Sequence, residues 1–175
     1  AGLLMAIANA TLHTAVDLDP APERVAALLN RTLCRTGDRR AFMTLFFGLL
    51  DPATGRLDYV CAGHPFPLLR RRDGQVEELG NGGLPLGLRE GLTFSTESVA
   101  IAPGETLVTF TDGLPEAVGG GPDGRAFGFG RLAGLLERPG PPRVLLERIL
   151  MAFDDHVGSE PLQDDLTLVV MAREG

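Results

Sequence analysis

The stretch from Thr106 to Gly113, TLVTFTDG, constrains the fold more than any other part of the chain. Val108 and Phe110 fall on one face of an extended segment, Leu107 and Thr109 on the other. A strand apolar on both faces belongs inside a fold rather than at its edge. Asp112 and Gly113 arrive where that strand must stop. Asp-Gly is a common turn dipeptide, and taken alone the pair reads as a turn. A carboxylate at a strand end is also well placed for chemistry: the strand holds its backbone rigid and the loop leaves one side open.

The remaining segments surround this strand. Residues 1–16 read as a helix, with Met5, Ala8, Leu12, Ala15 and Val16 at helical spacing. Its first turn has no capping residue and no acid, so Ala1 is expected to lie inside a longer helix in a chain that continues upstream. A second helix opens at Pro22, carries Val25, Leu28, Leu29, Thr32 and Leu33, and ends at Thr36-Gly37-Asp38. Strands follow. They are expected over 41–50 (buried), 56–62, 67–72, 75–79 and 94–101, with turns at Asp51 to Gly55 and at Asp73-Gly74. After Gly113 a short helix is expected near Glu116, then an exposed flexible stretch, Gly119 to Pro122. Helices at 128–137 and from Pro142 to Val157 precede a final buried strand, 166–171. The last helix shows Leu146, Ile149, Leu150, Phe153 and Val157 on one face. Strands in the middle with helices on either side predict an α+β fold. Strands apolar on both faces predict two packed sheets with helices outside.

Composition excludes several functions. The net charge of −7 argues against a nucleic-acid partner. No apolar run is long enough to span a bilayer. All 16 basic residues are Arg. The one basic run, Arg70 to Arg72, precedes Asp73-Gly74 and reads as a solvated hairpin end. Cys34 and Cys61 show neither a disulfide framework nor metal-ligand spacing, so they are expected as thiols in a reducing cytosol, and the protein as cytoplasmic.

Chemistry is sought among the acids. Asp164 and Asp165 stand where the final strand begins. If that strand runs antiparallel beside 106–111, its start and the end carrying Asp112 share one sheet edge. Clustered carboxylates repel one another unless a cation sits between them. Hard oxygen donors suit Mg²⁺ or Mn²⁺ rather than zinc. A bare Asp-Asp pair is more often a polar loop end, and Asp154-Asp155 reads as such a pair on a solvated helix face. His64, in Gly63-His64-Pro65, reads first as a turn with a satisfied side chain; His13 and His156 read as exposed or half-buried.

The wording of successive segments resembles one family. Leu3-Leu4-Met5-Ala6, Asp51 to Gly55 with Leu57-Asp58-Tyr59-Val60, Ala62-Gly63-His64-Pro65 and Leu84-Pro85-Leu86-Gly87-Leu88 appear in its order. Pro103-Gly104-Glu105, Thr111-Asp112-Gly113, Glu116-Ala117, Phe127-Gly128 and Gln163-Asp164-Asp165-Leu166-Thr167 follow. The chain resembles the SpoIIE-type bacterial branch of the metal-dependent, protein phosphatase 2C-like phosphatases over essentially its whole length. The resemblance implies a four-layer αββα fold. It implies hydrolysis of phosphoserine or phosphothreonine by water activated between two Mn²⁺ or Mg²⁺ ions. Asp112 and Asp164 match metal ligands, while Asp165 and Gly113 take supporting places. The implied substrates are phosphorylated regulators such as anti-sigma-factor antagonists. The implied partners extend to an upstream sensor domain, with a homodimer left open. In this family further ligands lie before the Leu-Leu-Met-Ala segment, so residues 1–175 are expected to be such a domain without its N-terminal part. The alternatives are a phosphatase-like module that acts by binding alone, or another carboxylate-metal hydrolase.

Overall fold

The apolar positions of each segment sort into two cores, and each core has its own sheet and helices. The structure, a computed structural model, describes residues 2–36, 42–120 and 124–174. The chain divides into one unit of Ala1–His64 with Gly80–Ala100 and another of Pro65–Leu79 with Ile101–Gly175.

The first unit holds α1 (Gly2–Leu18), α2 (Pro22–Thr36), β1 (Leu45–Leu50), β2 (Arg56–Ala62) and β5 (Glu97–Ala100). The strands form an antiparallel sheet in the order β1-β2-β5. Val25, Leu29 and Leu33 of α2 meet Ala8 and Ala15 of α1, Ala62 of β2 and Leu86 in one apolar cluster. Leu4 and Leu12 pack on its edge, whereas Met5 and Val16 are exposed. The stripe of α1 is thus rotated from the expected one, because α2 takes the side that carries Ala8 and Ala15. Gly37 and Asp38, expected to end α2, and Ala41, expected to open β1, lie outside the described residues. β1 is half-buried rather than buried, and Leu49 and Leu50 are exposed. It has a strand neighbour on one side alone among the described residues, so its apolar side chains are only partly covered. β5 begins at Glu97, not at residue 94.

The second unit holds β3 (Leu68–Arg70), β4 (Val76–Glu78), β6 (Thr106–Phe110), α3 (Phe129–Glu137), α4 (Pro142–Val157) and β7 (Leu168–Ala172). Its antiparallel sheet has the order β4-β3-β6-β7. Val108 and Phe110 of β6 pack with Leu132 and Leu136 of α3 and with Leu145, Ile149, Phe153 and Val157 of α4. Leu107, on the opposite face of β6, is buried as well, so this strand is covered on both sides. The stripe of α4 is centred on Leu145 rather than Leu146. β7 is not the fully buried strand expected: Leu168 and Val170 face the core, but Val169 and Met171 are exposed. The helix expected near Glu116 is absent. Residues 112–116 form turns closed by Leu114 N–H to Thr111 O (3.1 Å) and Glu116 N–H to Asp112 O (2.9 Å). Pro115 brings no N–H to extend them into a helix.

The basic run departs furthest from expectation. Arg70 is 7% exposed, and its Nε has no hydrogen-bond partner among the described residues. Arg71 pairs with Glu105 (2.9 Å) and with Glu77, and Arg72 donates to the carbonyl of Pro103. Glu105, itself buried, also accepts from the Ala102 N–H at 2.9 Å. Arg70 and Arg71 are thus a structural tie between β3, β4 and the turn before β6, while Arg72 and Asp73 are exposed, as a solvated hairpin end would be. Both cysteines are free thiols. Burial pushes the Cys61 thiol up to about 11, and the thiol donates to His64 O at 3.2 Å.

Two substitutions separate the apolar core from this buried cation. Ile149→Ala is expected to lower the unfolding free energy by about 2–5 kcal/mol through lost burial and a residual cavity. Arg70→Met, which removes a buried unsatisfied donor, is expected to be neutral or to stabilise by up to about 3 kcal/mol. Denaturant unfolding of the two variants measures both, and a large loss for Arg70→Met would contradict this account of its burial.

Candidate metal centre

The site lies within the second unit, where β6 ends and the approach to β7 begins. Phe110 pairs with Leu168, and the two strands run antiparallel. That register brings Asp112, just past β6, to the sheet edge where Asp164 and Asp165 precede β7. The ladder continues one step further through Thr111 N–H to Thr167 O at 3.1 Å. The Thr111 hydroxyl then accepts from Thr167 N–H (2.9 Å) and donates to Asp165 O (3.1 Å).

Gly113 completes the junction. A Cβ at this position would stand 2.5 Å from the Asp165 carbonyl oxygen and 3.6 Å from the Asp164 carbonyl carbon. Only a residue without a side chain permits so close an approach of the two backbones. Asp165 thus takes part through its main-chain oxygen, held between Thr111 and Gly113.

The carboxylates remain open. Asp112, Asp164 and Asp165 are all exposed. Asp112 Oδ1 accepts the N–H of Gly113 at 3.1 Å, and Asp164 Oδ1 accepts the N–H of Asp165 at 2.7 Å. Among the described residues none of the three pairs with a cationic side chain. Two clefts meet at Asp164. One, of about 210 Å³, is lined by Gly113, Glu116, Ala117, Leu162, Gln163 and Asp164. The other, of about 580 Å³, runs along α4 past Leu150, Phe153 and Asp154 to Asp164 and Asp165.

These donors fit a hard divalent cation in kind, being solvent-facing carboxylate oxygens without a competing cation. They do not amount to a full ligand set. Among the described residues no group of three or more His, Cys, Asp or Glu side chains is gathered closely enough to hold a metal ion. Oxygen donors beyond these side chains would have to complete the coordination.

The other candidates are the histidines and the second Asp-Asp pair. His64 belongs to the first unit, where its Nδ1 lies 3.1 Å from the Thr44 hydroxyl. His13 is exposed and His156 half-buried. Asp154 and Asp155 are exposed, as expected, but Asp154 also lines the larger cleft. Sequence reasoning missed that, together with Glu116 and Gln163 on the smaller one. A signal was available, because Glu116-Ala117 and Gln163-Asp164 both stand in the segments that carry the family resemblance.

Of the stretch expected to be exposed and flexible, Gly120 is exposed, while the Gly119 N–H donates to Arg125 O at 3.1 Å; Gly121 and Pro122 lie outside the described residues. Phe127 N–H donates to Ala117 O at 2.9 Å, and Val118 bridges Ala126. Gly119 is half-buried, and a Cβ there would stand 2.7 Å from His156 O. His156 Nδ1 lies 3.1 Å from Arg131 Nη1, and Nε2 lies 3.0 Å from Arg125 O. A guanidinium only donates and a carbonyl only accepts, so these contacts suit an imidazole that accepts at Nδ1 and donates at Nε2.

The family model described as Stage II sporulation protein E (SpoIIE) matches residues 1–174. The chain belongs to this SpoIIE family. Protein IcfG of Synechocystis sp. is 32% identical over 138 residues, covering 78% of the chain and 22% of that protein. Phosphoserine phosphatase RsbU of Bacillus subtilis is 23% identical over 185 residues, covering 99% of the chain and 52% of RsbU. The chain therefore spans about a fifth and about half of the length of these curated relatives. Among solved structures, the SiaA PP2C domain of Pseudomonas aeruginosa superposes with a TM-score of 0.83 at 22% identity, covering 97% of the chain and 68% of that domain. This likeness shows the fold: the SpoIIE-family chain is an α+β protein of PP2C type, as expected.

The close approach at Gly113 generates a prediction for this SpoIIE-family chain. Gly113→Ala must push Asp165 away or distort β6, and is expected to cost about 1–3 kcal/mol of stability. Thermal unfolding compared with Gly134→Ala, a helical position with open space around it, checks this.

Proposed function

We propose that this SpoIIE-family chain carries the catalytic edge of a phosphatase that hydrolyses phosphoserine or phosphothreonine on a bacterial signalling regulator. An anti-sigma-factor antagonist is the substrate type in mind. The observation that carries the reading is the meeting of Asp112 and Asp164 at one open sheet edge, on a junction too tight for any residue but glycine at 113. The name of RsbU, a phosphoserine phosphatase matched over 99% of the chain, supports the reaction class.

In this reading Asp112 and Asp164 hold Mn²⁺ or Mg²⁺, two ions in the complete site. Such a cation supplies Lewis acidity and a lowered pKa for bound water. The contribution of this chain is positional. Strands β6 and β7 set the spacing of the two carboxylates, and Asp165 supports them through its backbone. Leu162 to Asp165 lie between the two clefts and border any phosphoryl group brought to the edge.

The incomplete set of acidic side chains favours a second reading, a phosphatase-like module that binds the regulator without turnover. Assays on the whole protein divide the two. Phosphate release from a phosphoserine regulator is expected to require Mn²⁺ or Mg²⁺ and to stop with a chelator. Asp112→Asn and Asp164→Asn are each expected to lower it at least about 100-fold, the upper range for residues that only orient ligands. Tight binding of the regulator with no metal-dependent release would establish the second reading, and full activity in Asp112→Asn would overturn the first.

A further inference from the structure

The residues on either side of Asp112 both lie against the same atom, and Thr111 bonds to it. The Asp165 main-chain oxygen accepts the Thr111 hydroxyl at 3.1 Å and lies 2.5 Å from the place of a Cβ on Gly113. The Thr111 hydroxyl is used twice, because it also accepts the Thr167 N–H at 2.9 Å. It replaces one rung of the ladder at the point where β7 is about to begin. The carboxylates themselves share no hydrogen bond across the strands among the described residues; each is tied to its own neighbour instead. Their separation is therefore set by the backbones, and the Thr111 hydroxyl is the side chain that joins those backbones.

We propose that Thr111 is a positioning residue, whose hydroxyl bridge from Asp165 O to Thr167 N–H holds Asp164 at the distance from Asp112 that a shared cation requires. This rests on the reading that Asp112 and Asp164 hold that cation. Serine retains the bridge. Valine keeps the shape of threonine and removes it, leaving a carbonyl and an N–H at the strand entry without their partner.

The test uses the whole protein and Mn²⁺ alone as the probe. Calorimetric titration measures affinity in wild type, Asp112→Asn, Thr111→Val and Thr111→Ser, and hydrogen exchange follows the Thr167 amide. Thr111→Val is expected to bind Mn²⁺ about tenfold more weakly, in the range for residues that orient ligands, with faster exchange at Thr167. Thr111→Ser is expected to keep wild-type affinity; should Thr111→Val not fold, Thr111→Ala takes its place. Wild-type affinity in the hydroxyl-less variant, with Asp112→Asn impaired, overturns the positioning role and leaves the proposed function standing. Equal losses in Thr111→Ser and Thr111→Val overturn it as well. Failure of the wild type to bind Mn²⁺, or of Asp112→Asn to weaken binding, removes the proposed function and this role with it.

Discussion

The antiparallel ladder between β6 and β7 is the interaction from which the rest of the site hangs. Its register is locked by packing: Val108 and Phe110 on one strand, and Leu168 and Val170 on the other, join one core beneath α3 and α4. A slip of one residue would turn those side chains to the opposite face. Because the strands run in opposite directions, the end of one and the start of the other come to the same edge. Two acidic segments remote in sequence thereby become neighbours without any bond between their side chains.

Much of this was legible in the sequence, and for identifiable reasons. The two apolar faces of 106–110 announce a strand covered on both sides, and burial of Leu107, Val108 and Phe110 agrees. Regular apolar spacing located the four helices found among the described residues, and Pro142 placed the start of α4 at the residue observed. The antiparallel neighbour needed by Asp112 could be posed only as a condition, because strand pairing depends on the whole core and not on either segment alone.

What escaped the sequence shares a cause. A run of three arginines before Asp-Gly looks solvated by composition, and Arg72 is, yet Glu77 and Glu105 neutralise Arg71 and draw it into the unit. Those partners are six and 34 residues away, beyond any local pattern. The turns at 112–116 are likewise tied from a distance, by Gly128 N–H reaching Pro115 O at 2.8 Å. The exposed sides of β1 and β7 follow from their outer positions in the described sheets, which residue type does not disclose.

The span closed by the Thr111–Asp165 contact is 54 residues, and it contains both α3 and α4. Bringing its ends together costs chain entropy that only the packed core can repay. The carboxylate pair is therefore a product of cooperative folding rather than of local chain shape. A peptide carrying Thr-Asp-Gly and another carrying Asp-Asp-Leu-Thr would each be acidic and each be idle. During synthesis the edge cannot exist until β7 has emerged and docked, well after Asp112 itself has been made.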